Sequence, residues 1–142
     1  MSKFSNKSKK LLEQCHPDLQ IVLNKAIEYI DFSILDSTIR TVEQQKQFVA
    51  EGKSKTMNSK HLKKMLPEYG QEYSLAVDIA PYPIDFNDRE RFCLLAGIIL
   101  GIAKLFKEEG VIRKEIRWGG DWNQDYITKN EKFSDMPHFE VK

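Results

Sequence analysis

Two short segments restrict the fold of this chain more than anything else in it: SLAVDIA at 74–80 and MPHFEV at 136–141. Both alternate apolar and polar side chains, the period of a strand with one face buried. In the first, Leu75, Val77 and Ile79 share one face, while Ser74, Ala76, Asp78 and Ala80 share the other. In the second, Pro137, Phe139 and Val141 oppose Met136, His138 and Glu140. Each strand therefore offers a core an apolar side and presents a metal-ligating residue type on its back. The face carrying Asp78 is otherwise small, which leaves room beside the carboxylate.

The segments around these strands supply the helices that must cover them. Residues 8–14 read as a helix, and Pro17 suits the first turn of a second one, PDLQIVLNKAIEYI. In that segment Leu19, Val22, Leu23, Ala26, Ile27 and Ile30 recur at helical spacing. FSILD follows as a short strand. TVEQQKQFVAEG is a helix with Thr41 as N-cap, Gln44 in the capping-box position and Gly52 at its end. Residues 53–73 are polar and lysine-rich and read as a loop. Residues 87–109 form a long helix capped by Asn87, and EIRW is a further strand. Helices first and short strands later predict an α+β fold with an antiparallel or mixed sheet.

Length and charge narrow the function classes. The 142 residues set an expectation of one domain, residues 1–142, with no linker that divides it and no separate binding domain. A net charge of +1 argues against a dedicated nucleic-acid binder. Two cysteines, Cys15 and Cys93, are too few for a disulfide framework and read as buried thiols. The basic N-terminus is broken by Pro17 and lacks the apolar stretch of a secretory signal. The run FCLLAGIILGIAKLF at 92–106 is too short to span a bilayer and reads as a core helix. Synthesis in the cytoplasm without a standard signal, no stable membrane insertion and a monomeric state are the expectations.

Two of the three histidines and one aspartate form a plausible catalytic metal set. His61 sits in SKHL, Asp78 and His138 on the two strands. Three protein ligands leave a fourth position for water, and zinc lowers the pKa of that water from 15.7 toward about 7. A carboxylate must then take the proton and deliver it to the leaving amine, and Asp135, three residues before His138, is placed to do so. A strand histidine is also often structural, and such an aspartate often caps a turn. Spacing alone leaves these alternatives open.

Together these motifs resemble the M15 family of zinc D,D-peptidases and L,D-endopeptidases. It includes VanX/VanY-type enzymes and phage endolysins that cut L-alanyl-D-glutamate bonds. Its signatures run Ser-x-His-x-x-Gly-x-Ala-x-Asp and Asp/Glu-x-x-His. Here Ser59, His61, Ala76 and Asp78 match the first, and Asp135 and His138 the second. IRTVEQQ is similar to the family's Arg-Thr/Ser-x-x-x-Gln segment, giving Arg40 and Gln45, and RWGGDWN to its aromatic-Gly-x-Asp-Trp segment. The N-terminal LLEQCHPDLQIVLNKAIE resembles the opening helix of the phage members, so the similarity covers nearly the whole chain.

The resemblance implies that His61, Asp78 and His138 bind one zinc ion, with Asp135 the general base. Arg40 would hold the scissile carbonyl and stabilise the oxyanion. Gln45, Ser59, Trp118 and Asp121 would contact substrate. It also implies a small antiparallel sheet flanked by helices, of the D,D-peptidase/Hedgehog-like type. The expected activity is cleavage of a peptidoglycan stem peptide by an endolysin released through a holin. A D-Ala-D-Ala carboxypeptidase or dipeptidase, or a non-catalytic wall-binding module of the same fold, stand as alternatives.

This chain departs from the family in two places. His61 and Asp78 are seventeen residues apart where the family has seven, and Ser74 replaces a glycine. A longer loop costs little, about 0.6 kcal/mol per doubling, so both ligands can stay in place while the loop overhangs the site. Other features carry two readings each. RWGGDWN is either a tight turn with Trp118 and Trp122 in the core or a cleft wall with Asp121. Lys53, Lys55, Lys60, Lys63 and Lys64 are either a solvated loop or an attractor of wall carboxylates. Glu140 is either a partner of His138 or a plain strand carboxylate. His16 is a helix-start residue.

Overall fold

The computed structural model describes residues 2–54, 57, 59–131 and 134–142; Lys55 lies outside them. Helix α1 (Asn6–Leu12) starts at Ser5, whose hydroxyl accepts the Ser8 N–H. Pro17 occupies the first turn of α2 (Pro17–Ala26), and His16 caps it by accepting the Asp18 N–H on Nδ1 at 3.0 Å. Strand β1 (Phe32–Ile34) leads through a 3-10 turn (Asp36–Thr38) to α3 (Val42–Ala50). The capping box of α3 is complete, with Thr41 and Gln44 satisfying each other's backbone N–H.

The reading of residues 53–73 as loop throughout is corrected by a hairpin, β2 (Lys63–Leu66) with β3 (Gln71–Ser74). A four-residue turn closes it, with Gly70 at φ +67° and its N–H on Leu66 O at 3.0 Å. Leu66 is buried, and Tyr69 sets its ring edge-on to His16 at 5.6 Å. The tip is therefore anchored on the α1–α2 junction instead of overhanging the site.

Strand β4 (Ala76–Pro81) pairs with β1 on one side and β6 (His138–Val141) on the other, and β5 (Ile116–Trp118) closes the order β1-β4-β6-β5. All three pairings are antiparallel, and the register sets Asp78 opposite His138. Val77, Ile79, Phe139, Val141, Ile116 and Trp118 face the helices. There they meet Leu19, Val22 and Leu23 of α2 and Leu95, Ala96 and Ile99 of α4 (Arg89–Glu108) in one core cluster. Burial of a side chain such as Phe139 contributes about 1.5–3 kcal/mol.

Helix α4 differs from expectation twice. Its N-cap is Asp88, which accepts the Arg91 N–H, while Asn87 lies inside the turn of residues 85–88 with its N–H on Asp85 Oδ1 at 3.0 Å. The helix is also amphipathic: Phe92, Leu95 and Ile99 are buried while Leu94 and Leu105 lie exposed. Among the described residues no helix is long and apolar enough to cross a membrane. Both cysteines are free, Cys15 buried and Cys93 half-buried.

Candidate metal centre

On the face of the sheet away from the helices, His61, Asp78 and His138 converge although the sequence separates them by up to 77 positions. His61 Nε2 lies 3.1 Å from His138 Nδ1 and 3.2 Å from Asp78 Oδ1, and His138 Nδ1 lies 3.5 Å from that oxygen. All three side chains are buried. Bonds of about 2.0–2.2 Å to a tetrahedral zinc would set ligand atoms about 3.3–3.5 Å apart, so the triangle has the size of such a set.

The hydrogen-bonding partners fix which atoms face inward. The carbonyl of Thr38 can only accept, so His61 Nδ1 donates to it at 2.9 Å and leaves Nε2 as a lone pair. His138 Nε2 donates to Glu140 Oε1 at 2.8 Å and leaves Nδ1 as a lone pair. Asp78 Oδ2 accepts from Ser37 Oγ at 2.6 Å and from Arg40 at 3.4 Å. Asp78 Oδ1 is buried with no hydrogen-bond partner. Two imidazole lone pairs and an orphan carboxylate oxygen thus share one point, an arrangement that calls for a cation.

Without a metal, the same atoms attract protons. Burial alone would raise the Asp78 carboxyl, yet its contacts with His138 and His61 hold it well below the usual carboxylate range. Burial lowers His138, but the carboxylates of Asp78 and Glu140 beside it outweigh burial and bring the metal-free imidazole up to about 9, so a cation that binds Nδ1 must displace a proton there. Glu140 also resists its own burial. Hydrogen bonds from His138 and Arg117, with Lys60 nearby, draw it down to about 2.

Asp135 stands beside this triangle, its Oδ2 3.9 Å from His138 Nδ1 and its side chain partly open to solvent. Partial burial and the charge of Asp78 raise its pKa, the direction that suits a proton acceptor. Its backbone is fixed by Gly119: Asp135 N–H donates to Gly119 O and Gly119 N–H to His138 O, both at 2.7 Å. A Cβ on Gly119 would lie 2.2 Å from the Asp135 carbonyl oxygen. Arg40 donates through Nε to Ser37 O and through Nη1 to Gln45 Oε1. Two of its five N–H groups have no bond within this set.

The remaining residues expected at the substrate take other places. Gln45 is fully buried and donates to Ser54 while accepting from Arg40, so it props the arginine. Ser59 accepts the His61 N–H at 3.2 Å and shapes the turn that delivers that histidine. Trp118 lies on the helix-facing side, 4% exposed, stacked on Phe139 with its indole N–H on Met136 O. A cavity of about 490 Å³ opens on that same side, beside Gly97, Gly101, Ile116 and Trp118, away from the triangle. Asp121 is buried and accepts from the N–H groups of Asp125 and Tyr126, holding Tyr126 at φ +65°. The aromatic residue at the centre is Trp122, whose ring lies 5.3 Å from that of His138 and carries the Arg117 guanidinium at 5.4 Å.

Comparison with known proteins decides the family. The family model described as phage L-alanyl-D-glutamate peptidase matches residues 1–142. The chain belongs to this family. Membership makes it a peptidase acting on peptidoglycan. The crystal structure of the Serratia marcescens L-Ala D-Glu endopeptidase ChiX superposes with a TM-score of 0.71 at 24% identity. That match covers 99% of this chain and 91% of the other, and it shows the α+β peptidase fold expected from the motifs. A search of the curated proteins gives no match. Within the family frame, Ser37, Thr38 and Trp122 are the residues of the centre that sequence reasoning missed. The first two lie between the FSILD strand and the helix that starts after Thr41, and their partner Asp78 is about forty positions away.

Proposed function

We propose that His61, Asp78 and His138 hold one zinc ion and that the chain uses it to hydrolyse the L-alanyl-D-glutamate bond of peptidoglycan stem peptides. The observation that carries the reading is the orphan Asp78 Oδ1 facing two imidazole lone pairs. Zinc bound there supplies Lewis-acid chemistry, polarising the scissile carbonyl and acidifying a water. Asp135 takes the proton of the attacking water on its carboxylate and returns it to the departing D-glutamate amine. Arg40, charged at any working pH, donates to the carbonyl oxygen as negative charge develops there. Ser37 and Arg40 also hold Asp78 in its one-oxygen presentation.

In this reading residues 1–142 form one catalytic unit that acts as a monomer. Its route to the wall runs through a phage-encoded pore in the inner membrane. Ser59 and Gln45 act by positioning His61 and Arg40. Mass analysis of digested sacculi tests the bond: the expected products carry a free L-alanine carboxylate and a new D-glutamate amino terminus. Release of terminal D-alanine alone would overturn the assignment, and zinc and wall binding without released peptide would point to a non-catalytic module.

A further inference from the structure

Glu140 lies on the metal-facing side of the central strand β6, two residues beyond His138, with about 5% of its surface exposed. Its two oxygens divide three partners. Oε1 accepts the His138 Nε2–H at 2.8 Å. Oε2 accepts from Arg117 of the neighbouring strand at 2.8 Å and pairs with Lys60 at 3.3 Å. Lys60 immediately precedes His61, and its ammonium also donates to Val141 O at 2.6 Å. The same backbone is tied to the residue that enters β4, since the Leu75 N–H donates to Lys60 O and the Val141 N–H to Leu75 O, each at 2.9 Å.

A buried carboxylate is costly to keep unless its partners compensate it, and replacement by apolar groups is often neutral or better for stability alone. Here its three partners connect to both histidine-bearing segments. One oxygen sets the tautomer of His138, and the other closes an ion pair onto the residue before His61.

Building on the zinc reading above, we infer that Glu140 is a positioning residue for the metal centre. It holds His138 with Nδ1 directed inward, raises the electron density of that ring and, through Lys60, keeps the His61 segment in register with β6. Arg117 neutralises the second oxygen and braces Trp122 against His138. Glu140 touches neither the substrate nor the proposed water in this account. It acts through His138.

The test uses the full chain and measures zinc affinity by competition with a chromophoric chelator, together with the absorption spectrum of the cobalt-substituted protein. Glu140→Ala is expected to weaken zinc binding about 10–100-fold and to alter the cobalt bands. Glu140→Gln keeps the shape and carries the test if the alanine variant fails to fold. It is expected to lose about tenfold, because a neutral amide is a poorer acceptor for His138 and no partner for Lys60 or Arg117. Lys60→Met leaves the bond to His138 intact and should lose less than Glu140→Ala. A purely structural Glu140 predicts lower melting temperatures with unchanged zinc affinity and cobalt bands, and that result overturns the inference. Failure of the zinc reading is separable: the wild-type protein would then bind no more zinc than His61→Ala or His138→Ala.

Discussion

At the scale of single residues, the atoms left without partners define the centre: Asp78 Oδ1 and the inward nitrogens of His61 and His138. Among the described residues, Asp135 is the carboxylate beside the triangle that is partly open to solvent, which suits it to carry the proton. Asp135→Asn should lower kcat about 10²–10⁴-fold while zinc content stays at wild-type level. Loss of zinc with loss of activity would recast Asp135 as a ligand. Gly119 makes a sharper test of positioning, because its missing side chain admits the Asp135 carbonyl. Gly119→Ala must displace backbone and should reduce turnover far more than it reduces zinc affinity, read as separate kcat and chelator-competition measurements. Some of this was legible beforehand. Alternation alone placed Asp78, His138 and Glu140 on one face, and within EIRW the same alternation assigns Trp118 to the side of Ile116 and Arg117 to the other. The expectation of Trp118 in the cleft followed the motif and overlooked that period of two. The pairing of Ser37 and Thr38 with Asp78 was not legible, since it depends on two strands meeting across forty residues.

Among the elements, the caps and the hairpin show how local chemistry fixes distant geometry. Helix α3 was readable in full from Thr41, Gln44 and Gly52, and it matters because Gln45 in its second turn braces Arg40. Thr41→Ala removes one half of the capping box and should cost about 1 kcal/mol of stability in denaturant unfolding. Wild-type stability in that variant would mean that α3 is held by packing alone. The hairpin β2–β3 escaped notice because its exposed lysines hide any apolar alternation. Its buried side chains are Leu66 and Ser74, one at the end of each strand, and the turn at Pro67–Gly70 carried the clearest sequence signal. The one-residue shift of the α4 cap arises because Asn87 and Asp88 are both capping residue types, and the turn of residues 85–88 leaves Asp88 at the helix start.

For the molecule as a whole, one antiparallel sheet separates a helix-packed core from a polar face that gathers charge. The expected α+β class followed from element order, and the sheet order β1-β4-β6-β5 explains why the C-terminal strand had to be central. Only there can His138 stand opposite Asp78 while Phe139 enters the core. Cys15 reports on the integrity of that core, because burial first and the charge of Asp78 second push its thiol up to about 12. Alkylation at pH 8 should label Cys93 and spare Cys15 until the protein unfolds, as counted by peptide mass. The measurement closest to the central claim is the zinc content of dialysed wild-type protein compared with His138→Ala. One zinc ion per wild-type chain and none in the variant is the result expected of three side chains closing on one cation. Equal zinc in both proteins, or none in either, would contradict it.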